Sequence, residues 1–468
     1  MTLDPHASAL DVAAAIRSKE VSPVEVADHY LGRIDEVDPG INAFVWRNDD
    51  EVRDRAKRMA DEVLAGGDLP PFFGVPIPIK DLTLVAGQPC THGSRTTSLA
   101  PAVESELVVG AFERAGFVLM GRTNSPELGT ITCTENLRYG ITRNPWKTDR
   151  TPGGSSGGAG AAVAAGMAPV AHGNDGGGSI RIPSSCCGLV GLKPSRGRVP
   201  SLSFGWEGAA VEGALTRTVA DAAAMLDVMA GPDPFAWYSA PAPARAFADE
   251  VGAAPGRLRI RFLTDNPLGL PVDQACVDAV TATAALLADL GHDVDAVPAG
   301  FSLFPLEMVG PFGQMVNTST AGIGEDPTLF EPHNLRAHAA GQAVDSLQYV
   351  EAVHTLQRLC RTYLAAWGSD IDLLLTPTIA CEPPVAGEVM AAIHDDRPEG
   401  TETVLRMVCY TVMANVSGQP GISLPMHMSA SGLPVGIQLI GAPFAEATLI
   451  RVAAQLETAA PWSSRHPA

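Results

Sequence analysis

The sequence predicts an α/β protein built around a largely buried sheet of parallel or mixed strands. Short apolar runs of strand length alternate with helical patterns from residue 72 onward, which is the arrangement typical of this class. Of the 468 residues, 46% are hydrophobic and 18% are charged, so the chain folds and can bury a sizeable core. The length alone favours about two or three domains. We nevertheless expect a single domain over residues 1–468, because neither a repeat nor a long linker divides the chain.

The first 66 residues are predicted to form a helical N-terminal segment. Apolar residues recur there at helical spacing. Ser22-Pro23 supplies an N-cap residue followed by a proline at the first helical position. The predicted helices cover residues 7–16, 24–34 and 52–64.

Beyond this segment, helices and strands alternate to the end of the chain. Predicted helices cover residues 105–115, a stretch of small residues from about 155, and residues 216–230, 273–290, 344–367, 403–414 and 446–459. Predicted strands cover residues 117–121, 169–173, 258–263, 293–297, 371–375, 421–425 and 435–440. The Pro/Ala-rich stretch 239–248 and the polar stretch 394–402 are predicted to be surface loops.

The charge balance excludes several classes of partner. The chain has 52 acidic and 32 basic residues, giving a formal charge of −20. Nucleic acids and anionic membranes require basic surfaces, so we expect neither as a partner. The stretch 157–171 is too short and too weakly apolar to span a membrane. Since Met1 is followed by no basic or apolar leader, we expect a soluble cytoplasmic protein that acts on small molecules.

The eight cysteines predict neither disulfides nor a metal site. They form no CxxC pair and no cluster with histidine, so the sequence favours reduced thiols and argues against bound zinc. We therefore expect no metal and no cofactor.

Three segments carry residues suited to acyl-transfer chemistry. An apolar run over residues 74–79 ends in Lys80-Asp81, a Pro-Gly-Gly-Ser-Ser-Gly-Gly string occupies residues 152–158, and Gly-Gly-Gly-Ser179 follows an apolar strand. Glycines give the backbone the freedom to converge its N–H groups on an anion. A hydroxyl beside such groups provides a nucleophile and an oxyanion hole, so Ser179 is a candidate nucleophile.

The residues alone leave two candidates for the base that would activate Ser179. His172 lies on the same strand, but nothing in the sequence supplies an Asp partner for a triad. Lys80 follows a run of apolar side chains, and partial desolvation would lower its pKa toward that of a useful base. The pair Ser155 and Ser156 offers a relay between the lysine and the nucleophile.

Other interpretations compete with this one. The glycine-serine string 152–158 is also typical of a flexible linker, and the pair Lys80-Asp81 of an exposed ion pair. Gly-Gly-Gly-Ser179 resembles a phosphate-binding turn that opens a helix, but Ile180-Arg-Ile-Pro183 predicts no helix there. Ser156 formally fits a G-x-S-x-G nucleophile elbow, although that motif should follow a hydrophobic strand, which is absent.

Taken together, the three segments resemble the amidase signature family of serine hydrolases. The resemblance runs through residues 72–200 and continues in the segments 213–221 and 415–425, so it covers nearly the whole chain. The combination of the lysine, GGSSGG and GGGSIRIP in this order is highly specific. Their spacing is also similar to the family's, and the remaining sequence looks most like a subgroup of stand-alone bacterial amidases.

The resemblance implies a fold and a set of roles. The fold would be an α/β/α sandwich around a large mixed sheet, with the catalytic core in residues 67–200 and the rest of the sheet and substrate pocket in residues 201–468. Family members hydrolyse amides through an acyl-enzyme and a Ser–cis-Ser–Lys triad. The implied residues are Ser179 as nucleophile, Ser155 as relay after a non-proline cis peptide bond, Lys80 as base, the backbone amides of Gly176, Gly177, Gly178 and Ser179 as oxyanion hole, and Ser156, Asp175 and Arg181 as loop-positioning groups.

One departure from the common family pattern is the extra glycine before Ser179, where many members carry Thr-Asp-Thr-Gly-Gly. It should loosen the loop without removing an amide donor. The substrate is expected to be a small carboxylic amide, linear or cyclic. Pocket residues are predicted in segments 132–136, 304–320 and 410–417, with Thr132, Cys133 and Asn415 as candidate substrate contacts, and Phe304, Phe312, Met315 and Met413 suggesting an apolar wall.

Several alternatives stay open from the sequence. The chain could be the amidotransferase A-type subunit of a tRNA-dependent complex, although that subunit's usual Ser-Leu-Asp-Gln segment is absent around residues 203–213. It could be an aryl acylamidase or esterase of the same family, or a catalytically silent binding protein. The oligomeric state is not fixed by the sequence, and a homodimer is among the states it allows.

Overall fold

The computed structural model describes residues 3–324 and 326–467 and has a mixed α/β architecture. The helices are α1 (Ala9–Arg17), α2 (Pro23–Ile41), α3 (Asp49–Ala65), α4 (Leu107–Arg114), α5 (Gly157–Ala164), α6 (Arg181–Cys187), α7 (Val219–Met229), α8 (Gln274–Asp289), α9 (Val309–Ala321), α10 (Pro332–Gln342), α11 (Ser346–Trp367), α12 (Glu388–His394), α13 (Pro398–Val408), α14 (Val412–Ser417) and α15 (Glu446–Ala459). The strands are β1 (Phe44–Trp46), β2 (Pro76–Lys80), β3 (Val118–Thr123), β4 (Glu135–Asn136), β5 (Gly140–Ile141), β6 (Ala171–Asp175), β7 (Val190–Lys193), β8 (Val211–Thr216), β9 (Arg259–Phe262), β10 (Asp293–Ala296), β11 (Leu373–Pro377), β12 (Gly421–Met428) and β13 (Pro434–Gly441).

A large mixed sheet organises the molecule. Within the described part of the chain it has eight strands in the order β10-β9-β11-β13-β12-β7-β8-β6. The pairs β10·β9 and β9·β11 are parallel, and the remaining pairs are antiparallel. The predicted fold class is therefore confirmed.

Both faces of this sheet are buried, as neighbouring residues of β11 show. Leu373 and Leu375 belong to one hydrophobic core cluster and Leu374 to another. Successive side chains of a strand point to opposite faces, so each face packs against its own apolar layer. A sheet buried on both sides explains why its strands appear in the sequence as near-continuous apolar runs.

A smaller sheet brings Lys80 next to the large one. It has the order β1-β3-β2, with β2 and β3 parallel. Lys80 ends β2, and its backbone N–H donates to Nδ1 of His172 in β6 at 3.4 Å. The edge of the large sheet therefore lies beside the strand that carries the lysine.

The N-terminal helices form as predicted, and their ends have clear local causes. Ser22 caps α2 in a reciprocal arrangement with Glu25, and Pro23 occupies the first turn. The small residues of α5 allow that helix to be buried on all sides. A side chain at Gly158 would collide with the backbone of Asn124, so only glycine permits this close approach.

The structure corrects several sequence-based expectations. A short helix, α6, does follow Ser179, although no helix was predicted there. The predicted helix 403–414 is two helices, α13 and α14, and α13 begins inside the predicted loop 394–402. No helix in the described residues is long and apolar enough to cross a bilayer.

Candidate active site

The three glycine- and lysine-containing segments meet at one small cavity. Lys80 ends β2, Ser155 precedes α5, and Ser179 lies between β6 and α6. The cavity has a volume of about 170 Å³, and both Ser155 and Ser179 line it. Its other lining residues are Leu82, His92, Leu128, Gly129, Asn174, Gly176, Trp206 and Ala210.

Lys80 is fully buried behind this cavity. Its Nζ donates to Ser155 Oγ at 2.8 Å and to Asn174 Oδ1 at 2.7 Å. Burial lowers the pKa of Lys80 to about 7, because the charged amine is removed from water while the carboxylates of Glu212 and Asp175 compensate only in part. An amine of this pKa is partly neutral near pH 7 and can accept a proton.

Ser155 and Ser156 are held between the lysine and the nucleophile loop. The peptide bond between Gly154 and Ser155 is cis. The Ser156 N–H donates to the Ser179 carbonyl at 3.2 Å, and Ser156 Oγ donates to the Asn174 carbonyl at 3.2 Å. The Ser156 side chain is fully buried and engaged with the protein. It joins the two loops rather than facing the cavity, which disfavours the nucleophile-elbow hypothesis.

The glycine loop before Ser179 turns around Asp175. One carboxylate oxygen of Asp175 accepts the Gly178 N–H at 2.7 Å, and the other accepts the Ile180 N–H at 3.2 Å. The N–H groups of Gly176, Gly177 and Ser179 have no protein acceptor within the residues that the structure describes. This corrects one part of the predicted oxyanion hole, because the Gly178 N–H is already bound to Asp175.

Asp175 is itself fixed by a fully buried ion pair with Arg181. Nε and Nη2 of Arg181 donate to the two carboxylate oxygens, each at 2.9 Å. Burial by itself would raise the pKa of Asp175, but the Arg181 guanidinium and Lys193 hold that pKa well below its usual range. The carboxylate is therefore charged and can organise the loop at every ordinary pH.

Asn415, predicted to contact substrate, instead supports this ion pair. Its Nδ2 donates to the Asp175 carbonyl at 2.8 Å and its Oδ1 accepts from Arg181 Nη2 at 2.5 Å. The side chain is fully buried, so its polar groups serve the loop and not the cavity.

Thr132 and Cys133, the other two predicted substrate contacts, lie behind the cis peptide. A side chain at Gly154 would stand only 2.8 Å from the Cys133 backbone nitrogen, so the two segments are in close contact. Thr132 Oγ1 points to Met407 Sδ at 3.4 Å, and Cys133 is fully buried. Both residues pack against the Ser155 loop rather than line the cavity.

His172 does not act as the base in this arrangement. Its Nδ1 accepts the backbone N–H of Lys80, so Nε2 carries the proton and donates to Glu212 at 2.7 Å. Both ring nitrogens are therefore committed away from Ser179. Asp81 is also buried, where it accepts from Thr91, so the alternative of an exposed Lys80-Asp81 pair is wrong.

Residues that sequence reasoning missed complete the site. Asn174 holds the lysine amine, Thr411 Oγ1 donates to the Gly177 carbonyl at 2.6 Å, and Gln438 Oε1 accepts from Arg181 at 2.7 Å. Asn174 precedes Asp175 in one of the three segments that the sequence singles out. Thr411 precedes α14 and lies in the predicted pocket segment 410–417, although no role was predicted for it. Gln438 lies in β13, where nothing in the local sequence marks it.

A larger cavity with both apolar and charged lining residues adjoins the small one. Its volume is about 660 Å³, and it shares Trp206 with the cavity at Ser179. Met315, a predicted pocket residue, lines it together with Val416. Phe304 and Met413 are instead buried in a core cluster, and Phe312 packs edge-to-face with Trp206 at 6.0 Å.

Comparison with known proteins identifies the family of the chain. A family model described as Amidase matches residues 25–450. The chain is 39% identical to the 6-aminohexanoate-cyclic-dimer hydrolase of Pseudomonas sp. (strain NK87), over 97% of this chain and 95% of that protein. A solved structure of 6-aminohexanoate cyclic dimer hydrolase complexed with substrate is similar at a TM-score of 0.92 and 36% identity, covering 99% of each chain.

A bacterial aryl acylamidase of the amidase signature family is also similar in structure. Its TM-score is 0.86 at 30% identity, covering 98% of this chain and 97% of that one. The family resemblance inferred from the three segments is confirmed. Because the family model spans most of the sequence and these relatives match it nearly from end to end, the chain belongs to the amidase family, among the amidase signature enzymes, and is a hydrolase of amides.

Proposed function

We propose that the chain hydrolyses amides through a triad of Ser179, Ser155 and Lys80. The observation that carries this proposal is the 2.8 Å hydrogen bond from Lys80 Nζ to Ser155 Oγ, at the wall of a cavity that Ser179 also lines. Because burial lowers the pKa of Lys80 to about 7, the amine can serve as a base under ordinary conditions.

In the proposed acylation step, protons move along the triad toward the lysine. Neutral Lys80 accepts the proton of Ser155 as Ser155 accepts that of Ser179. Ser179 Oγ then forms a bond to the amide carbonyl carbon, and the carbonyl oxygen becomes an oxyanion. When the C–N bond breaks, the relay returns a proton to the leaving nitrogen. Water, activated by the same relay, hydrolyses the acyl-enzyme and releases the carboxylic acid.

The oxyanion is proposed to be held by backbone amides of the glycine loop. The N–H groups of Gly176, Gly177 and Ser179 are the candidates, since they have no acceptor among the described residues. Asp175 and Arg181 maintain the loop, and each preorganised donor is worth several kcal/mol, about 3–4, in such sites.

The proposed substrate is a small carboxylic amide of aliphatic character, linear or cyclic. The cavity beside Ser179 is small, about 170 Å³, and Leu82 and Leu128 give it apolar walls. The similar protein that is named for 6-aminohexanoate cyclic dimer makes that cyclic amide the first compound to test. Turnover should be measured on this dimer and on linear aliphatic and aryl amides.

Replacing the nucleophile tests the proposal directly. Ser179→Ala is expected to lower the rate of amide hydrolysis by several orders of magnitude, roughly 10³-fold or more, without changing the circular dichroism spectrum. Ser369→Ala, at an exposed serine, serves as the control and should keep the wild-type rate. Near-normal turnover by Ser179→Ala would contradict the proposal.

A fluorophosphonate probe separates an enzyme from a silent binding protein. It should label the wild type and Ser369→Ala but not Ser179→Ala. The alternative of an amidotransferase subunit predicts glutaminase activity only when a partner co-purifies. Hydrolysis of simple amides by the isolated chain would favour the stand-alone amidase.

We also propose that the chain works as a single domain in the cytoplasm. Its cysteines are free thiols in the described structure, which is consistent with a reducing compartment. Light scattering of the purified protein would distinguish a monomer from the homodimer that the sequence allows.

A further inference from the structure

A cluster of metal-ligand side chains lies outside the catalytic residues. Glu331 occupies the N-cap position of α10, His333 lies in the first turn of that helix, and His394 ends α12. One ligand atom from each residue lies within 4.8 Å of the others, and this is the one such group among the residues described. No local pattern in the sequence marks this cluster, because His333 and His394 are far apart along the chain and the cluster includes no cysteine.

Each side chain of this cluster is already oriented by neighbouring groups. Glu331 Oε1 accepts the Leu137 N–H at 2.7 Å, which leaves Oε2 directed toward His394 Nε2 at 3.1 Å. His333 Nε2 lies 3.5 Å from the Thr130 hydroxyl. Metal-binding carboxylates and histidines are typically held in this way by outer hydrogen bonds.

His333 brings an unpartnered ring nitrogen to this part of the molecule. Its Nδ1 is buried and has no hydrogen-bond partner in the described structure. An unpartnered buried nitrogen is costly, and an ion coordinated through Nδ1 would satisfy it.

The spacing and local charge suit a divalent cation. Ligand atoms around tetrahedral Zn²⁺ stand about 3.4 Å apart, given bonds of about 2.0–2.1 Å. The Glu331–His394 separation of 3.1 Å is close to this value, and His333 offers a ligand atom within 4.8 Å of both. Glu127 and Glu135 contribute further negative charge, against Arg95 and Arg336.

We propose that Glu331, His333 and His394 form a binding site for a divalent transition-metal ion, with Zn²⁺ the best fit to two imidazoles and one carboxylate. Water would complete the coordination. The ion replaces the hydrogen bond between Glu331 and His394 and cross-links α10 to α12.

The location of this site gives it a structural consequence. The Glu331 N–H and Asn334 Nδ2 both donate to Glu127 Oε2, at 2.8 and 2.9 Å. Glu127 begins the turn whose next residues, Leu128 and Gly129, line the cavity at Ser179. A bound ion therefore holds one wall of that cavity in place without contacting the reacting groups.

Metal titration of the purified full chain tests this proposal. Chelator-treated wild type is expected to take up about one Zn²⁺ per chain by calorimetry, with a rise in Tm. His333→Ala, His394→Ala and Glu331→Gln should lose this uptake and the rise in Tm. His338→Ala, on the same helix but outside the cluster, is the matched control and should retain both.

Titration with Co²⁺ adds a spectroscopic test on the wild type, which needs no variant to fold. Visible bands of nitrogen and oxygen coordination that are absent from His333→Ala support the site. No stoichiometric uptake by the wild type, thiolate charge-transfer bands that indicate cysteine ligation, or uptake retained by His333→Ala and His394→Ala would each overturn it. Ser179→Ala should bind the metal normally, so the result is independent of the proposed catalytic mechanism.

Discussion

Two lysines are buried without an ion pair to any carboxylate among the described residues, and their positions give them different roles. Lys80 Nζ donates to Ser155 and Asn174, whereas Lys193 Nζ donates to the Pro194 carbonyl. Burial lowers the pKa of each to about 7. A low pKa alone therefore does not identify a base. What distinguishes Lys80 is its hydrogen bond to a serine at a cavity.

The protonation of Lys80 should appear in the pH profile. The proposed base must be neutral, so kcat/KM should fall on the acidic side with an apparent pKa near 7, where Lys80 becomes protonated. Lys80→Met should lower kcat/KM by about 10²–10⁴-fold at pH 8.

The second buried lysine supplies the control for this profile. Lys193→Met should keep the acidic limb in its wild-type position, because Lys193 has no contact with Ser155 or Ser179. An unchanged profile in Lys80→Met, or a limb that disappears in Lys193→Met, would contradict the assignment of the base.

The Asp175–Arg181 pair carries a second prediction at the level of single residues. Asp175→Asn leaves the Arg181 guanidinium buried without its counter-charge, and breaking such a pair costs about 3–5 kcal/mol. We expect a loss of this size in the free energy of unfolding, measured by denaturant titration. Asp372→Asn breaks the more exposed pair with Arg259 and should cost less than about 1 kcal/mol. Equal losses in the two variants would argue against a special role for Asp175.

The residues that chemistry singles out could be predicted from the sequence, as could the neighbouring supports Asp175 and Arg181, but supports that are distant along the chain could not. Lys80, Ser155 and Ser179 stand in unusual local strings, so their types and order are informative. Gln438 lies in a strand whose sequence resembles any buried strand. It reaches Arg181 because β13 passes close by, and that proximity arises only from the tertiary fold.

At the scale of elements, the three positions of the glycine loop differ in how much space they leave for a side chain. A side chain at Gly176 would collide with the Trp206 ring, and one at Gly178 with Thr411 Oγ1. Gly178 also has φ of +134°, a conformation that other residues avoid. A side chain at Gly177 would meet nothing closer than Val408 Cγ2 at 3.7 Å.

This pattern predicts the outcome of three alanine substitutions. Gly177→Ala should retain activity within about tenfold, whereas Gly176→Ala and Gly178→Ala should lose roughly 10²-fold or more in kcat/KM, because the loop that holds the amide donors must shift. The double variant Gly176→Ala/Trp206→Ala removes the collision and should recover part of the loss. If all three single variants behave alike, the proposed loop geometry is wrong.

The helix that follows this loop shows where sequence patterns mislead. Pro183 was one reason why no helix was predicted after Ser179. It occupies the first turn of α6, however, where a proline removes no helical hydrogen bond. The chain then ends the helix at Gly188 with φ of +73°. Helices such as α8, α11 and α15 were predicted because periodicity accumulates over length, whereas a seven-residue buried helix offers too few positions for a pattern to emerge. Length was not sufficient, since α9 and α10 were not predicted.

At the scale of the whole molecule, the N-terminal helices belong to the same core as the catalytic strands. Ile16 and Leu31 share a hydrophobic cluster with Ile77 and Ile79, which lead to Lys80. Asp221 accepts the N–H groups of Ala9 and Leu10 at 3.1 and 3.0 Å, which ties α1 to α7.

Removing residues 1–66 should therefore unfold more than the segment itself. The truncated chain is expected to lose the cooperative thermal transition of the full chain, because the apolar face beneath the N-terminal helices becomes exposed. Differential scanning calorimetry of both chains measures this. A truncated chain that keeps the transition and the activity would show that residues 1–66 form an accessory layer.

Trp206 gives the protein a built-in optical reporter. Its indole borders both the 170 Å³ and the 660 Å³ cavities and lies against the Gly176 backbone. Indole emission responds to the polarity around the ring, so a compound that displaces water from either space should shift the fluorescence. The chain has six tryptophans. Comparing the emission of the wild type with that of Trp206→Phe isolates the contribution of Trp206 from that of the other five. Ligands could then be screened on the inactive Ser179→Ala protein, before any substrate is known to turn over.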